Sequence, residues 1–292
     1  VCAIAQRDRD HLMAQALLTA RGLEVTYGGG RLFGKGAGHK VLHCVDIEIA
    51  AGETIGIVGE SGSGKTTLGR ALLKLVETSA GEIRFDGRDI THIGEDAMRP
   101  LRRRMQLIFQ DPMASLNPRH SVRRILVEPM LLHKLVPDAR AAEQKILKIL
   151  DRFTLPKVVL DRNPHELSGG QRQRIGIARA ALLEPDFVLA DEIVSGLDVS
   201  TQAQVLNLLK DLSTEMGLAM AFISHDLSVI RAICDRVYVL RFGKVVESGR
   251  CDDVFANPKS AYTRALLDAI PLPEIDPGWL DRVSAVDEAA SL

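Results

Sequence analysis

Apolar positions along the chain switch between a two-residue rhythm and a three-to-four-residue rhythm, and the switches predict alternating strands and helices. Leu23-Glu24-Val25-Thr26-Tyr27 and residues 41–50 (VLHCVDIEIA) read as an antiparallel hairpin joined by the Gly/Lys-rich stretch 28–40. Thr54-Ile55-Gly56-Ile57-Val58 is short, β-branched and apolar, the mark of a buried strand. Leu68, Leu72, Leu73 and Val76 then recur at helical spacing. Residues 82–87 (EIRFDG) predict a strand ending in a turn, followed by a charged helix and a further strand over 105–109 (MQLIF).

That strand stops at Gln110, and the proline- and asparagine-bearing segment 111–119 (DPMASLNPR) reads as an irregular loop. Over 121–160 the rhythm is helical, with Ile146, Ile149, Leu150 and Phe153 on one face and Asp138, after Pro137, as an N-cap. Leu167-Ser168-Gly169-Gly170-Gln171 opens another helix, through Arg172, Ile175, Ala178 and Leu182. Phe187-Val188-Leu189-Ala190 is continuously apolar and ends in Asp191 and Glu192, the pattern of a central parallel strand delivering carboxylates at its C-terminal edge. A turn at Ser195-Gly196-Leu197-Asp198 leads to an amphipathic helix bearing Val205, Leu208, Leu209 and Leu212. The apolar strand 218–223 runs into Ser224-His225-Asp226, strands 237–240 and 245–248 close the core, and a helix is expected over 262–269.

Between the strand at 54–58 and the helix that follows stands Gly59-Glu60-Ser61-Gly62-Ser63-Gly64-Lys65-Thr66-Thr67. Strand, glycine loop and helix are the context that makes G-x-x-x-x-G-K-[ST] a phosphate-binding loop. Glycines let successive backbone N–H groups curl into an anion-sized nest, and the helix starting near Lys65 points its positive end at the same place. Lys65 supplies a mobile charge for the β- and γ-phosphates of a nucleotide, and the Thr66 hydroxyl can ligate Mg²⁺. With such a loop present, one acid of Asp191-Glu192 is expected near the metal. The Ser168 turn is a second anion-receptive helix start, although an ordinary N-cap by Ser168 explains it on its own residues. Gly34-x-Gly36-x-Gly38 has the wrong spacing and context for a dinucleotide fingerprint and is read as loop.

Composition narrows the picture without changing it. At 292 residues and 46% hydrophobic content, the chain suits one large domain or two closely packed ones. A net charge of −1 argues against a polyanion binder, and Arg99, Arg102, Arg103 and Arg104 read as a solvated helix face. The four cysteines, Cys2, Cys44, Cys234 and Cys251, form no zinc spacing and read as reduced thiols. No segment approaches the ~18 apolar residues of a membrane span. Arg7, Asp8, Arg9 and Asp10 interrupt any signal-like segment, so a soluble, cytoplasmic protein is expected. Residues 1–12 read as an extension, with Met13 as a candidate start.

The ordered set resembles the ATP-binding cassette ATPases along nearly its whole length. The string Leu167-Ser168-Gly169-Gly170-Gln171-Arg172-Gln173-Arg174 carries that resemblance. Residues 109–112 (FQDP), 115–119 (SLNPR) and 262–267 (YTRALL) look like the ATPase subunits of oligopeptide/dipeptide importers. Gln171 and a tail without clustered cysteines are more similar to the second ATPase of such a pair. The resemblance implies an α/β fold: a P-loop NTPase (RecA-like) core with an antiparallel β subdomain and an inserted α-helical subdomain. Its parts would be an N-terminal, disordered extension over 1–20, a cassette over 21–250 with its helical subdomain at about 111–184, and a tail over 251–292. The cofactors implied are ATP and Mg²⁺.

By the same resemblance, Tyr27 would stack on adenine, and Gly59, Glu60, Ser61, Gly62, Ser63, Gly64, Lys65, Thr66 and Thr67 would bind the triphosphate. Asp191 would hold Mg²⁺ through water together with Thr66 and Gln110. Glu192 resembles the general base, His225 the γ-phosphate switch, and Asp198 the residue coupling two sites. Ser168, Gly169, Gly170 and Gln171 would cap the γ-phosphate held by a second, head-to-tail cassette, either a paralogue or an identical copy. Two transmembrane permease subunits and, indirectly, an extracytoplasmic solute-binding protein complete the expected partners, with no nucleic acid. The chain would sit at the cytoplasmic face of the membrane as a peripheral subunit. Two positions depart from the pattern: Ile193 stands where proline is usual, and Lys259-Ser260-Ala261 where His-Pro usually precedes the tyrosine. Nickel, glutathione, opine or sugar-derived solutes remain alternative cargoes, and a soluble cassette acting on nucleic acid or ribosomes is the alternative class.

Overall fold

The computed structural model describes residues 16–28 and 38–269. Met13, Gly34, Gly36 and the Pro271-Leu272-Pro273 stretch lie outside them. Two sheets carry the fold. The first is antiparallel, in the order β2–β1–β4–β5, from β1 (Ala16–Tyr27), β2 (His39–Ala50), β4 (Ala80–Phe85) and β5 (Arg88–Asp89). The second has six strands in the order β10–β9–β3–β8–β7–β6: β3 (Thr54–Val58), β6 (Met105–Ile108), β7 (Phe187–Asp191), β8 (Ala219–Ile223), β9 (Arg236–Arg241) and β10 (Lys244–Arg250). All neighbours in it are parallel except β10, which pairs antiparallel with β9 at the edge.

Alternate residues of the central strands face different cores, as the pleat requires. Phe187, Leu189, Ala221 and Ile223 join β1, β2 and helix α1 (Lys65–Leu72) in one cluster. Val188, Ala190, Met220 and Phe222 face the other, among the helices. Helix α1 lies close against the sheet because residue 69 is glycine: a Cβ there would stand 2.6 Å from Leu189 Cδ2. The chain between β6 and β7 is helical: α2 (Glu95–Arg104) precedes β6, then come a single turn at Pro112–Ser115, α3 (Val122–Leu132), α4 (Ala139–Arg152) and α5 (Gly169–Ala181). Asp138 caps α4 by accepting from Ala141 N at 2.8 Å, and Ile146, Leu150 and Phe153 are buried behind it. Then follow α6 (Val199–Met216), α7 (Leu227–Ile233), α8 (Cys251–Ala256) and α9 (Ala261–Asp268).

Two expectations need correction. Residues 16–20 are not extension but the start of β1, paired through Leu18 with both Ile49 and Phe85. A register shift between Ala20 and Leu23, with Gly22 at φ 57°, breaks the alternation that would have revealed the strand. Nor do Arg102, Arg103 and Arg104 form a merely solvated face. Arg102 donates to the Leu73 and Lys74 carbonyls beyond α1, and Arg103 to the Leu183 carbonyl beyond α5. Arg104 pairs with Asp86 and Asp186 while lying 4.9 Å from the Phe85 ring centroid. Cationic side chains here tie carbonyls and carboxylates of four elements together.

Candidate functional site

Parallel register sets the C-terminal ends of four strands in a row: Ile57 opposite Ile223, Asp191 opposite Ile223, and Ile108 opposite Ala190. The segments leaving those ends carry the glycine loop, His225, Glu192 and Gln110, so residues drawn from Gly59 to His225 meet at one edge. The loop after β3 needs its glycines. Gly59 and Gly64 have φ of 145° and 103°, and a Cβ at Gly59 would stand 2.1 Å from the Leu240 carbonyl oxygen. Helix α1 opens at Lys65, so its unpaired N–H groups face the loop's hollow.

A cavity of about 510 Å³ lies there, lined by Ser61, Gly62, Gly64, Lys65, Thr66 and Thr67 from the loop, His39 and Val41 from β2, and Glu192 and His225. Lys65 Nζ donates to the carbonyls of Gly59 at 2.7 Å and Glu60 at 2.8 Å. Burial lowers its pKa, against the pull of Glu192, Asp191 and Glu60. The Thr66 hydroxyl donates to Asp191 Oδ1 at 3.3 Å, and burial beside Glu192 raises the Asp191 pKa. Gln110 Nε2 donates to Glu192 Oε2 at 3.0 Å, and His225 Nδ1 stands 3.7 Å from Glu192 Oε1. Glu192 itself has the left-handed φ of 49°, with its N–H bonded to the Ile223 carbonyl at 2.9 Å. Such backbone strain persists only where neighbours over-determine it.

Oxygen donors of Thr66, Asp191 and the Gln110 amide suit a hard divalent ion that completes its shell with phosphate and water, the habit of Mg²⁺. Among the described residues no group of three or more His, Cys, Asp or Glu could hold a metal by protein side chains alone. Tyr27 ends β1 opposite His39 and is 43% exposed, a ring presented near the cavity mouth.

The remaining predicted residues stand apart from the cavity. Ser168 caps α5 in a reciprocal box: its hydroxyl accepts from Gln171 N at 3.2 Å and its N–H donates to Gln171 Oε1 at 3.1 Å. Gly170 lets this turn approach α6, since a Cβ would stand 2.8 Å from Thr201 Cγ2. Asp198 caps α6, accepting from Thr201 N at 2.9 Å and Thr201 Oγ1 at 2.7 Å, bonds that lower its pKa. Ile193, in the place of the usual proline, is buried and fills the helical core. Three contacts had no sequence signal: Ser195 Oγ 3.5 Å from Gln110 Nε2, the Ser63 carbonyl accepting from Gly243 N at 2.9 Å, and the Tyr262 hydroxyl accepting from Glu60 N at 3.0 Å. Among the described residues no helix is long and apolar enough to cross a membrane.

Known proteins share this arrangement. The family model described as ABC transporter matches residues 42–195. A putative peptide import ATP-binding protein of Brucella ovis is 52% identical over 260 residues, 89% of this chain and 80% of that protein. The oligopeptide transport ATP-binding protein OppF of Bacillus subtilis is 48% identical over 240 residues, 81% of this chain and 78% of its own. The ATP-binding cassette MJ0796, solved as a dimer in a post-hydrolysis state bound to ADP and Pi, matches with a TM-score of 0.72 at 27% identity, covering 80% of this chain and 98% of that one. The structure of cbiO1 from Clostridium perfringens matches with a TM-score of 0.73 at 25% identity, over 94% and 99% of the two chains. On sequence and on fold together, the chain belongs to the ABC transporter family and is one of its ATP-binding cassettes.

Proposed function

We propose that this chain is the ATP-hydrolysing subunit of a membrane importer for peptides or a related small solute, working at the cytoplasmic face. The observation that carries the reading is the meeting of Lys65, Thr66, Asp191, Glu192, Gln110 and His225 around one cavity. Names of the relatives, peptide import and oligopeptide transport, support the cargo class.

Loop amides and Lys65 hold the β- and γ-phosphates, Tyr27 stacks on the adenine, and Thr66, Asp191 and Gln110 orient the metal's shell. Mg²⁺, when bound, neutralises charge on the phosphate oxygens. Glu192 takes the proton from the attacking water, steadied by Gln110 on one side and His225 on the other. His225 also lies within reach of the γ-phosphate, and Asp198 couples the two sites of a cassette pair.

Hydrolysis needs a second cassette, because the Ser168–Gln171 turn stands on α5 away from this chain's own cavity. Facing the phosphate loop of a partner, it closes the partner's site. Binding energy of ATP then holds the pair shut, and hydrolysis releases it. A groove lined by Leu75, Gln106, Leu107, Phe109, Pro129 and His133 runs beside Gln110, with Leu75 48% exposed and Phe109 38% exposed. It suits an apolar segment of a permease subunit, whose movement would reach Glu192 through Gln110. The test is ATP hydrolysis by the purified chain at rising protein concentration. Specific activity climbs as pairs form. A full rate in a species that stays monomeric by sedimentation overturns the paired mechanism.

A further inference from the structure

The last described helix, α9, reaches the phosphate loop directly. Leu266 and Leu267 pack with Val254 and Phe255 of α8 against Val58, Val237 and Val239, and Val58 is the residue immediately before Gly59. Glu247 on β10 fixes the helix start by accepting from Lys259 N at 2.8 Å and Ser260 N at 3.0 Å. So seated, α9 brings Tyr262, 8% exposed, under the loop, where its hydroxyl oxygen accepts from Glu60 N at 3.0 Å. Its ring is held from the other side: the Arg241 guanidinium lies 4.8 Å from the Tyr262 centroid and 5.2 Å from that of Phe242. The same β9–β10 turn donates from Gly243 N to the Ser63 carbonyl at 2.9 Å.

We propose that Tyr262 is a positioning residue for nucleotide binding: its hydroxyl pins Glu60 N–H and, with the Gly243 contact on Ser63, holds the phosphate loop open in its binding shape. The proposal rests on the reading of this loop as an ATP site. A glycine-bearing loop has many alternative shapes, and every one of them lowers apparent affinity by the fraction of time spent in it. Lys65 already crosses the loop to the Gly59 and Glu60 carbonyls, so release of Glu60 from Tyr262 frees the strand side of the nest to fold inward over it. Burial raises the Tyr262 pKa, so the hydroxyl stays intact across neutral and mildly alkaline pH.

Tyr262→Phe tests this, because the ring and its contact with Arg241 remain while the acceptor is lost. The expected result is a rise of about three- to tenfold in both the Kd and the KM for ATP, the size of one hydrogen bond's net contribution. At saturating ATP, kcat stays within about twofold, and the melting temperature of the nucleotide-free protein falls by no more than about 5 °C. Amide exchange in residues 59–64 of the nucleotide-free protein quickens, while that of α6 does not. ATP affinity and loop exchange equal to wild type overturn the proposal, and so does a lowered melting temperature with unchanged affinity, which marks a tail anchor and nothing more. Wild-type protein that binds no ATP would sink the functional reading instead, and exchange over 59–64 would still decide whether Tyr262 holds the loop.

Discussion

Gln110 Nε2 donates to Glu192 Oε2 at 3.0 Å, joining the segments that leave β6 and β7 in front of the phosphate loop. His225 approaches the other carboxylate oxygen at 3.7 Å. Glu192 is thus held by Gln110 on one side and faced by His225 on the other, on a backbone already in the left-handed region. A side chain held at that expense suits a group whose aim matters more than its packing.

Glu192→Gln keeps the shape and the Gln110 contact but removes the proton acceptor. Turnover is expected to fall by ~10²–10⁴, with ATP affinity within a few-fold of wild type and the ATP-bound pair more stable. Single-turnover hydrolysis together with sedimentation in ATP reads both effects. Undiminished turnover would remove Glu192 from the base role.

Burial first, and the charge of Glu192 beside it, raise the pKa of Asp191 against the opposing pull of the Thr66 hydrogen bond, Arg70 and Lys65. Its raised pKa means that ionisation costs folding free energy above that pKa, and that the cost vanishes once pH falls below the ordinary carboxylate range of about 4. Asp191→Asn is therefore expected to raise the melting temperature of the nucleotide-free protein at pH 7, with the gain shrinking steadily as the pH drops towards 4. The same variant should lose Mg²⁺-dependent hydrolysis. A melting temperature at pH 7 that falls or stays put would contradict the assigned electrostatics.

Ser168 has two jobs to separate, the cap on α5 and the proposed lid over a partner's phosphate. Ser168→Ala loses the cap and should cost about 1 kcal/mol of stability. Ser168→Asp preserves the cap, since aspartate accepts from the same N–H, but sets a negative charge where a γ-phosphate would sit. Near-wild-type melting with no ATP-driven association is the expected pattern for Ser168→Asp. Association as strong as wild type would mean that the turn never faces a phosphate.

Gly69→Ala puts a methyl group 2.6 Å from Leu189 Cδ2 and 3.0 Å from Ile223 Cδ1. Alanine gains about 1 kcal/mol of helix propensity, but overpacking costs about 1–3 kcal/mol. Since α1 carries Lys65 and Thr66, ATP affinity should fall along with stability. Equilibrium unfolding in urea, read beside ATP titration, decides it; a stabilised variant would show that the helix can lift freely from the sheet.

The phosphate loop, the acids at the end of β7 and the histidine after β8 were legible because each depends on local chemistry at a strand end. Asp138 and Ser168 were legible as caps for the same reason. Less visible were features made by distant pairings. The first residues of β1 were hidden by the register shift between Ala20 and Leu23, which breaks the alternation between Leu18 and Ala20 on one side and Leu23 and Val25 on the other. Arg104 looked solvated because nothing local announces Asp86 or Asp186 as partners. Tyr262 stood out only as part of the YTRALL string, since a contact spanning 202 positions leaves no local trace.

Neighbouring residues of β7 look into opposite cores, Leu189 towards α1 and Val188 towards the helices. The six-stranded sheet is accordingly a party wall: neither half of the molecule can be dismantled without stripping one side of the other's. Heat or denaturant should break the described body in a single step, both cores being lost together.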